Sequence, residues 1–469
     1  MFSTSDTIVA IATPPGRGGI GVVRLSGPEA RTIAGRLIAH DKPLEPRHAT
    51  LTTIAADGTS PGAAPDQVVA TCFPAPHSYT GDDVVELSAH GSPVVLRAIV
   101  SVAIDGGARL AEPGEFTLRA FLNGRIDLMQ AEAVADLVDS VTPLQARAAF
   151  DQLQGTLTQV IGEIDAALFD LIARLEASID FPDEGYHFVD PGALTGAIDG
   201  LRARTTALLA TARRGRLVRE GLHIAIVGKP NVGKSSLFNA LAGASRAIVS
   251  DVPGTTRDLV SEVVDLDGLR VTLVDTAGLR DARDAIEAEG VNRSRQAQSV
   301  ADLILIVVDR AAPLEAADRA IIDATAARPR LIAANKSDLA AGASRAAWLG
   351  ACDDVLRDHR CPVVEISAVT GDGLERLRDR IASSLDITAS DMRPDRPEIT
   401  NVRHIALVQR ADEALARARR AVAADGGALP EEFVLADLQD ARAALEEITG
   451  RRVSEDLLAH IFSRFCIGK

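Results

Sequence analysis

The sequence predicts a multidomain α/β chain, and three changes of pattern carry that prediction. Short β-type runs between Pro/Gly turns fill residues 1 to 125; apolar residues at three- and four-residue steps take over from Ile126; from about Leu222, β-runs alternate with helical stretches. Beyond Pro394 and Pro397 the helical periodicity returns. Helices before and after one α/β unit imply that the unit is spliced into a single helical domain, as a compact unit with neighbouring termini can be. The expected divisions are 1–125 (α+β), 126–220 (helical, first part), 221–386 (α/β, inserted) and 387–469 (helical, second part).

Composition narrows the class. Lys and Arg number 50 against 65 Asp and Glu, a formal charge of −15, so bulk charge gives no reason to expect nucleic-acid binding; RNA contact would need a local basic patch or a partner. With 46% hydrophobic and 25% charged residues, wholesale disorder is excluded. No apolar run approaches the ~20 residues of a membrane span. Asp6 and the lack of a basic-then-apolar start argue against a secretory signal. Cys72, Cys352, Cys361 and Cys466 show no CxxC spacing, which fits a reducing, cytoplasmic setting.

In chain order, strands are expected at Ile8–Ala12, Gly21–Leu25, Val68–Phe73 and Asp83–Leu87, with a strong turn at Pro14–Gly19. Leu153, Leu157, Val160, Ile161, Ile164, Leu168, Leu171, Ile172, Leu175 and Ile179 form one apolar helical stripe, and Leu194, Ile198, Leu201, Thr205, Leu208 and Ala212 a second; both read as bundle core. Ile224–Val227, Val271–Val274, Leu303–Val308, Leu331–Ala334 and Val363–Ile366 read as buried parallel strands. Leu407, Val408, Ala411, Leu415, Ala418 and Val422 resume the helical pattern. A last helix starts after Ser454 as N-cap and carries Leu457, Leu458, Ile461, Phe462 and Phe465.

The chemistry sits at the ends of the α/β strands. Gly228–Ser235 matches GxxxxGK[ST] between a strand and a helix, the context this phosphate-binding loop requires. Glycines let backbone N–H groups wrap phosphates, Lys234 neutralises β/γ charge, Ser235 can ligate Mg2+, and the helix N-terminus favours an anion. Asp275-Thr276-Ala277-Gly278 ends the next strand: Asp275 would act on Mg2+ from its second shell, and the Gly278 amide would meet a γ-phosphate. Asn335-Lys336-Ser337-Asp338 follows another strand; a carboxylate at Asp338 accepts both guanine N1–H and N2–H, a donor pair that adenine lacks. Ser367-Ala368 can offer a backbone N–H to the base O6. Gly254-Thr255-Thr256-Arg257-Asp258 lies where a switch threonine would close on Mg2+. Five such motifs in order resemble the translation-factor-related GTPases, so the α/β unit is expected to be an inserted P-loop GTPase domain with a mostly parallel sheet. Leu279 stands where Ras-like enzymes carry a water-orienting glutamine, which leucine cannot replace. Asn231, Ser250 and Thr255 could supply oxygens to a monovalent cation instead; Asn231 could also simply brace the loop.

The flanks extend the resemblance. Asp6–Ala10 with Pro14–Gly19, Tyr79-Thr80-Gly81-Asp82-Asp83, Pro113-Gly114-Glu115-Phe116, Phe181-Pro182-Asp183-Glu184 and the terminal Phe465-Cys466-Ile467-Gly468-Lys469 resemble the MnmE (TrmE) family of tRNA modification GTPases from end to end. The resemblance implies an N-terminal folate-binding domain that dimerises, a two-segment helical domain and an inserted G domain. It implies a homodimer that works with the FAD-dependent protein MnmG, as a heterotetramer or larger complex. Together they would add a (carboxymethyl)aminomethyl group at C5 of the wobble uridine of certain tRNAs, drawing one carbon from a methylene-tetrahydrofolate. Carried over by motif, nucleotide contacts come from Asn231, Val232, Gly233, Lys234, Ser235 and Ser236; from Ser250, Asp251, Val252, Pro253, Gly254, Thr255 and Thr256; and from Asp275, Thr276, Ala277, Gly278, Asn335, Lys336, Asp338, Ser367 and Ala368. Mg2+ is implied at Ser235 and Thr256, K+ at Asn231, Ser250, Val252 and Thr255, and a role in hydrolysis at Glu287. Folate is implied at Arg24, Glu86, Arg125 and Lys469. Cys466 is either a functional thiol near that site or a packed residue beside Phe465. Lys469 can serve there only if the C-terminal tail folds back onto the N-terminal domain. Two other readings stand beside this one: an Era-like ribosome- or RNA-assembly GTPase, and a GTP-regulated scaffold without one-carbon chemistry.

Overall fold

The computed structural model describes residues 5–54, 66–180, 191–244, 260–266, 268–275, 301–339, 348, 361–384, 398–424 and 431–469. The chain divides into two compact units, each discontinuous in sequence: Met1–Val138 with Phe150–Arg202 and Arg410–Lys469, and Asp139–Ala149 with Ala203–Gln409. The fold is the multidomain α/β architecture expected from the sequence.

In the first unit, six strands form one mixed sheet: β1 (Ile8–Ile11), β2 (Gly18–Ser26), β3 (Thr50–Thr53), β4 (Gln67–Phe73), β5 (Val84–Gly91) and β6 (Arg109–Leu110), in the order β3-β4-β5-β2-β1-β6. Helices α1 (Ala30–Leu37) and α2 (Pro93–Asp105) bury the apolar side of this sheet, where Val9, Val23, Leu25, Leu87 and Ile99 pack. The alternation of strand residues makes this possible: Val23 and Leu25 point into the core while Arg24, between them, points to the other face. On that other face Ile8, Ala10 and Ala111 meet Phe116 of α3 (Glu115–Leu122). β3 and β6 had no signal strong enough to read from sequence; the two-residue β6 exists only through its parallel pairing with β1.

The helices that follow are α4 (Leu128–Val138), α5 (Pro143–Leu153), α6 (Thr156–Asp180) and α7 (Pro191–Glu220). The stripe beginning at Leu153 is thus broken at Gly155, where φ is +81° and a helix C-terminus is closed. After α7 come β7 (Leu222–Val227), α8 (Lys234–Ala244), β8 (Val260–Leu266), β9 (Leu269–Asp275), β10 (Leu303–Asp309), α9 (Ala316–Ala324), β11 (Arg330–Asn335), β12 (Val363–Glu365) and α10 (Leu374–Ser383). These strands build the second sheet, ordered β12-β11-β10-β7-β9-β8 and parallel except for the edge pair β8–β9. β10 is buried on both faces: Leu303, Leu305 and Val307 enter one core and Ile304, Ile306 and Val308 the other, which is why it reads as an unbroken apolar run.

The chain ends with α11 (Val402–Ala424), α12 (Glu431–Thr449) and α13 (Glu455–Phe462). Ser454 caps α13 as expected, its hydroxyl accepting from the Leu457 N–H at 3.3 Å. Leu458, Ile461, Phe462 and Phe465 pack on Leu118, Leu128 and Val134. Among the described residues no helix is long and apolar enough to cross a membrane.

Candidate functional site

Between β7 and α8 the chain turns through residues 228–233 with positive φ at Gly228 (+155°), Asn231 (+65°) and Gly233 (+94°), the kind of backbone from which anion-binding nests are built. A Cβ at Gly228 would run into the Val307 carbonyl, and one at Gly233 into Nδ2 of Asn335, so both glycines are set by close approach. Lys234 opens α8; its side chain is buried and its Nζ donates to the Lys229 carbonyl at 2.6 Å. Ser235 and Ser236 follow on the exposed first turn, and Val232 is buried beneath the loop.

Asn335, at the end of β11, is a brace. Its Nδ2 donates to the Val232 carbonyl and its Oδ1 accepts the Ala368 N–H, both at 2.9 Å, so one buried amide ties the phosphate loop to the turn after β12. The Ser367 N–H donates to the Asp372 carbonyl. A base O6 at Ala368 would therefore share or displace the Asn335 bond. Lys336 has φ +66° and pairs with Asp309 at the end of β10, 2.7 Å away. Asp338 is exposed on the short 3-10 turn Ser337–Leu339. The backbone of Asp275 ends β9 beside Ile226 of β7. Ser250, Asp251, Val252, Pro253, Gly254, Thr255, Thr256, Thr276, Ala277, Gly278, Leu279 and Glu287 lie outside the described residues.

In the other unit, β2 and β5 pair with Arg24 opposite Glu86. The Arg24 Nε donates to Glu86 Oε1 at 2.8 Å, one terminal nitrogen lies equally close, and the other donates to the Gly468 carbonyl at 3.2 Å. The guanidinium also lies 5.6 Å from the ring centroids of both Tyr79 and Phe116. The tail does fold back: Pro113 bridges to Ile467, the Gly114 N–H donates to the Cys466 carbonyl at 3.3 Å, and Gly468 (φ +95°) sits so close to Ile11 that a Cβ would strike its carbonyl.

In the Pro113–Phe116 motif, Pro113 and Gly114 meet the tail, and Glu115 and Phe116 anchor the motif to the rest of the unit. Gly114 (φ +68°) leaves space where a Cβ would come within 2.8 Å of the Phe462 carbonyl. Glu115 is held by Arg109 (2.6 Å) and by the buried Arg119 (3.0 Å), and Phe116 lies beside Arg24. The Tyr79–Asp83 loop is stitched similarly. Tyr79 Oη bonds Thr117 Oγ1 (2.8 Å), the Thr80 hydroxyl bonds Ser26 (2.7 Å), and Asn123 donates to the Thr80 carbonyl (2.7 Å). Burial raises the Tyr79 phenol above its ordinary pKa, so it stays neutral.

Lys469 is pushed below its ordinary pKa, first by burial and then by the charge of Arg24. The structure thus brings Arg24, Glu86, Lys469 and Cys466 together. Arg125 is exposed, its stem near the position a Cβ on Gly81 would take, and forms no ion pair among the described residues. Cys466 is exposed rather than packed. The partly exposed Tyr79 ring and the buried Phe116 ring both back the Arg24 guanidinium, although the sequence singled them out only within motifs; nothing local separates a ring beside a guanidinium from one in a core.

Comparison with known proteins gives two kinds of match. A model described as the MnmE helical domain matches residues 128–466, and one described as the GTP-binding protein TrmE N-terminus matches residues 7–125. The tRNA modification GTPase MnmE of Koribacter versatilis is 45% identical and that of Laribacter hongkongensis 43% identical, each over 100% of both chains. The MnmE of Moorella thermoacetica is 42% identical over 99% of both.

Proposed function

The chain belongs to the MnmE family of tRNA modification GTPases, and on that premise we propose that it binds and hydrolyses GTP and couples hydrolysis to modification of tRNA. The observation that carries the nucleotide half is the convergence of the 228–233 loop, Asn335 and Ala368 at the carboxyl ends of three parallel strands of one sheet, where open α/β sheets take ligands. There Lys234 would meet the β/γ-phosphates, Asp338 would read guanine, and Ser235 with Thr256 would hold Mg2+, which when bound neutralises charge on the phosphates. Leu279 cannot orient water. K+ would therefore bind at Asn231, Ser250, Val252 and Thr255, and Glu287 would position water.

The second half is a tetrahydrofolate site at Arg24, Glu86, Arg125 and Lys469. The donor set fits the ligand: a carboxylate for the N–H edge of a pterin, cations for a glutamyl tail, and the partly exposed Tyr79 ring alongside. Arg24 neutralises Glu86, so a bound pterin edge would take the place of one of its bonds. A 5,10-methylene-tetrahydrofolate would supply the carbon placed on C5 of the wobble uridine, in the cytoplasm, by a homodimer acting with the FAD protein MnmG. The four-part division at residues 125, 220 and 386 belongs to the same reading. End-to-end family matches favour it over an Era-like assembly factor.

Mass spectrometry of wobble nucleosides from a strain lacking this chain tests the whole reading. Loss of the C5 side chain, restored by the wild-type gene, is expected; unchanged nucleosides would contradict it. Hydrolysis should be faster in K+ than in Na+, and equal rates would remove the cation assignment.

A further inference from the structure

The phosphate loop is fastened at a second point that the motif does not account for. Lys229, the residue after Gly228, extends away from the loop to the start of α9. Its Nζ lies 2.7 Å from Oδ2 of Asp318 and 2.9 Å from Oε2 of Glu315. The two carboxylates are unequal. Glu315 is 70% exposed, so its share is weak and screened; Asp318 is only 4% exposed. Asp318 is also fixed by its own helix, since Oδ2 accepts the Glu315 N–H at 2.9 Å as part of a capping box. Its other oxygen is buried without a hydrogen-bond partner among the described residues. A buried carboxylate in that state depends on its cation. At the other end of the same residue, the Lys229 carbonyl accepts from Nζ of Lys234 at 2.6 Å.

Resting on the reading of this site as a nucleotide site, we propose that Asp318 and Lys229 are positioning residues for the phosphate-binding Lys234. Asp318 fixes the Lys229 side chain, the Lys229 backbone is set in turn, and its carbonyl holds the Lys234 ammonium at the mouth of the loop before phosphate arrives. A pre-placed ammonium gives up less freedom on binding than one that must be ordered by the ligand. The contact also engages the Lys229 charge with α9, so that this residue is a strut of the loop and not a second phosphate ligand.

The test is fluorescence titration of the full chain with N-methylanthraniloyl-GDP, with thermal unfolding recorded for every variant. Lys229→Met and Asp318→Asn should each weaken binding about tenfold, the scale of losing one charge-assisted bond, whereas Lys229→Arg should restore it to within about threefold. Asp318→Asn keeps a side-chain oxygen for the Glu315 N–H and so separates charge from capping. The decisive arm is Lys229→Met in a Lys234→Ala background. A residue acting through Lys234 adds less than about twofold there; a loss that persists at tenfold overturns the proposal, as would wild-type affinity in both Lys229→Met and Asp318→Asn. A drop in unfolding temperature that tracks the affinity loss and is not rescued by Lys229→Arg would also overturn it. Failure of the wild-type chain to bind the nucleotide would instead strike the underlying reading of the site.

Discussion

The nucleotide site and the Arg24 site are built in opposite ways. The first collects short motifs, each complete in itself, at the carboxyl ends of neighbouring parallel strands; a single amide, Asn335, then locks them together. The second has no complete local part. Arg24 reaches a partner 62 residues away at Glu86 and another 444 residues away at Gly468, and the surface is complete only while the two ends of the chain are in contact. Apart from Asn335, a side chain of the first can therefore be changed with its motif's backbone kept. In the second, undocking the tail removes Lys469, Cys466 and one Arg24 bond at once. The difference teaches where each site is vulnerable: the first through the chemistry of single side chains, the second through backbone fit.

The largest effect expected from this contrast is at a residue with no functional group. Gly468→Ala places a Cβ against the Ile11 carbonyl at a left-handed φ. Strain of ~1–2 kcal/mol and overpacking of ~1–3 kcal/mol together should undock the tail. Calorimetry with 5-formyl-tetrahydrofolate should show affinity lower by about 100-fold or more, with GTP turnover within about twofold of wild type. Equal losses in both would break the comparison, because the sites would then not be separable.

Next in size is Asp338→Asn. An amide offers a donor where guanine needs a second acceptor, so the preference for GTP over xanthosine triphosphate should fall about 30-fold, with the Arg24 site untouched. Competition binding with the two nucleotides reads this directly; an unchanged preference removes Asp338 from base recognition. Glu86→Gln should cost about tenfold in folate affinity, since one charge-assisted partner becomes neutral while the fold of β5 is kept. Retained affinity would move the pterin away from β5.

The smallest effect is a pH trend of two signs. Lys469 sits below its ordinary value of 10.5, because burial and Arg24 disfavour its charge. As pH rises through that depressed value, the cation facing a folate carboxylate is lost, and affinity should fall about threefold between pH 7 and 10. Ligand-free stability should move the other way in the same window, since the unfolded chain binds more protons there than the folded one. Lys469→Arg should abolish the affinity trend because guanidinium stays charged. A trend that survives this change belongs to another group.

Legibility followed the same division. The parallel strands were readable because burial on both faces writes a continuous apolar run, as in Leu303–Val308, and the phosphate loop because its chemistry needs contiguous residues. Strand β8 carries no readable signal of its own since it is an edge whose pairing with β9 defines it, and β6 for the same reason against β1. The break at Gly155 is hidden inside an otherwise regular stripe. Arg24 and Glu86 are ordinary charged residues locally. Only the resemblance to a family pointed to them, and only the register of β2 with β5 puts them face to face. Lys229 and Asp318 carried no signal at all, because the pairing of a loop lysine with a helix-capping aspartate is a tertiary event.

The central claim is that the C-terminal tail completes a folate site that works independently of the nucleotide site. Paired calorimetric titrations of the full chain and a chain ending at Phe465, with 5-formyl-tetrahydrofolate and with GDP, test it most directly. The account predicts that truncation abolishes folate binding and leaves the GDP dissociation constant within about twofold. Folate bound as tightly by the truncated chain as by the full one would contradict it.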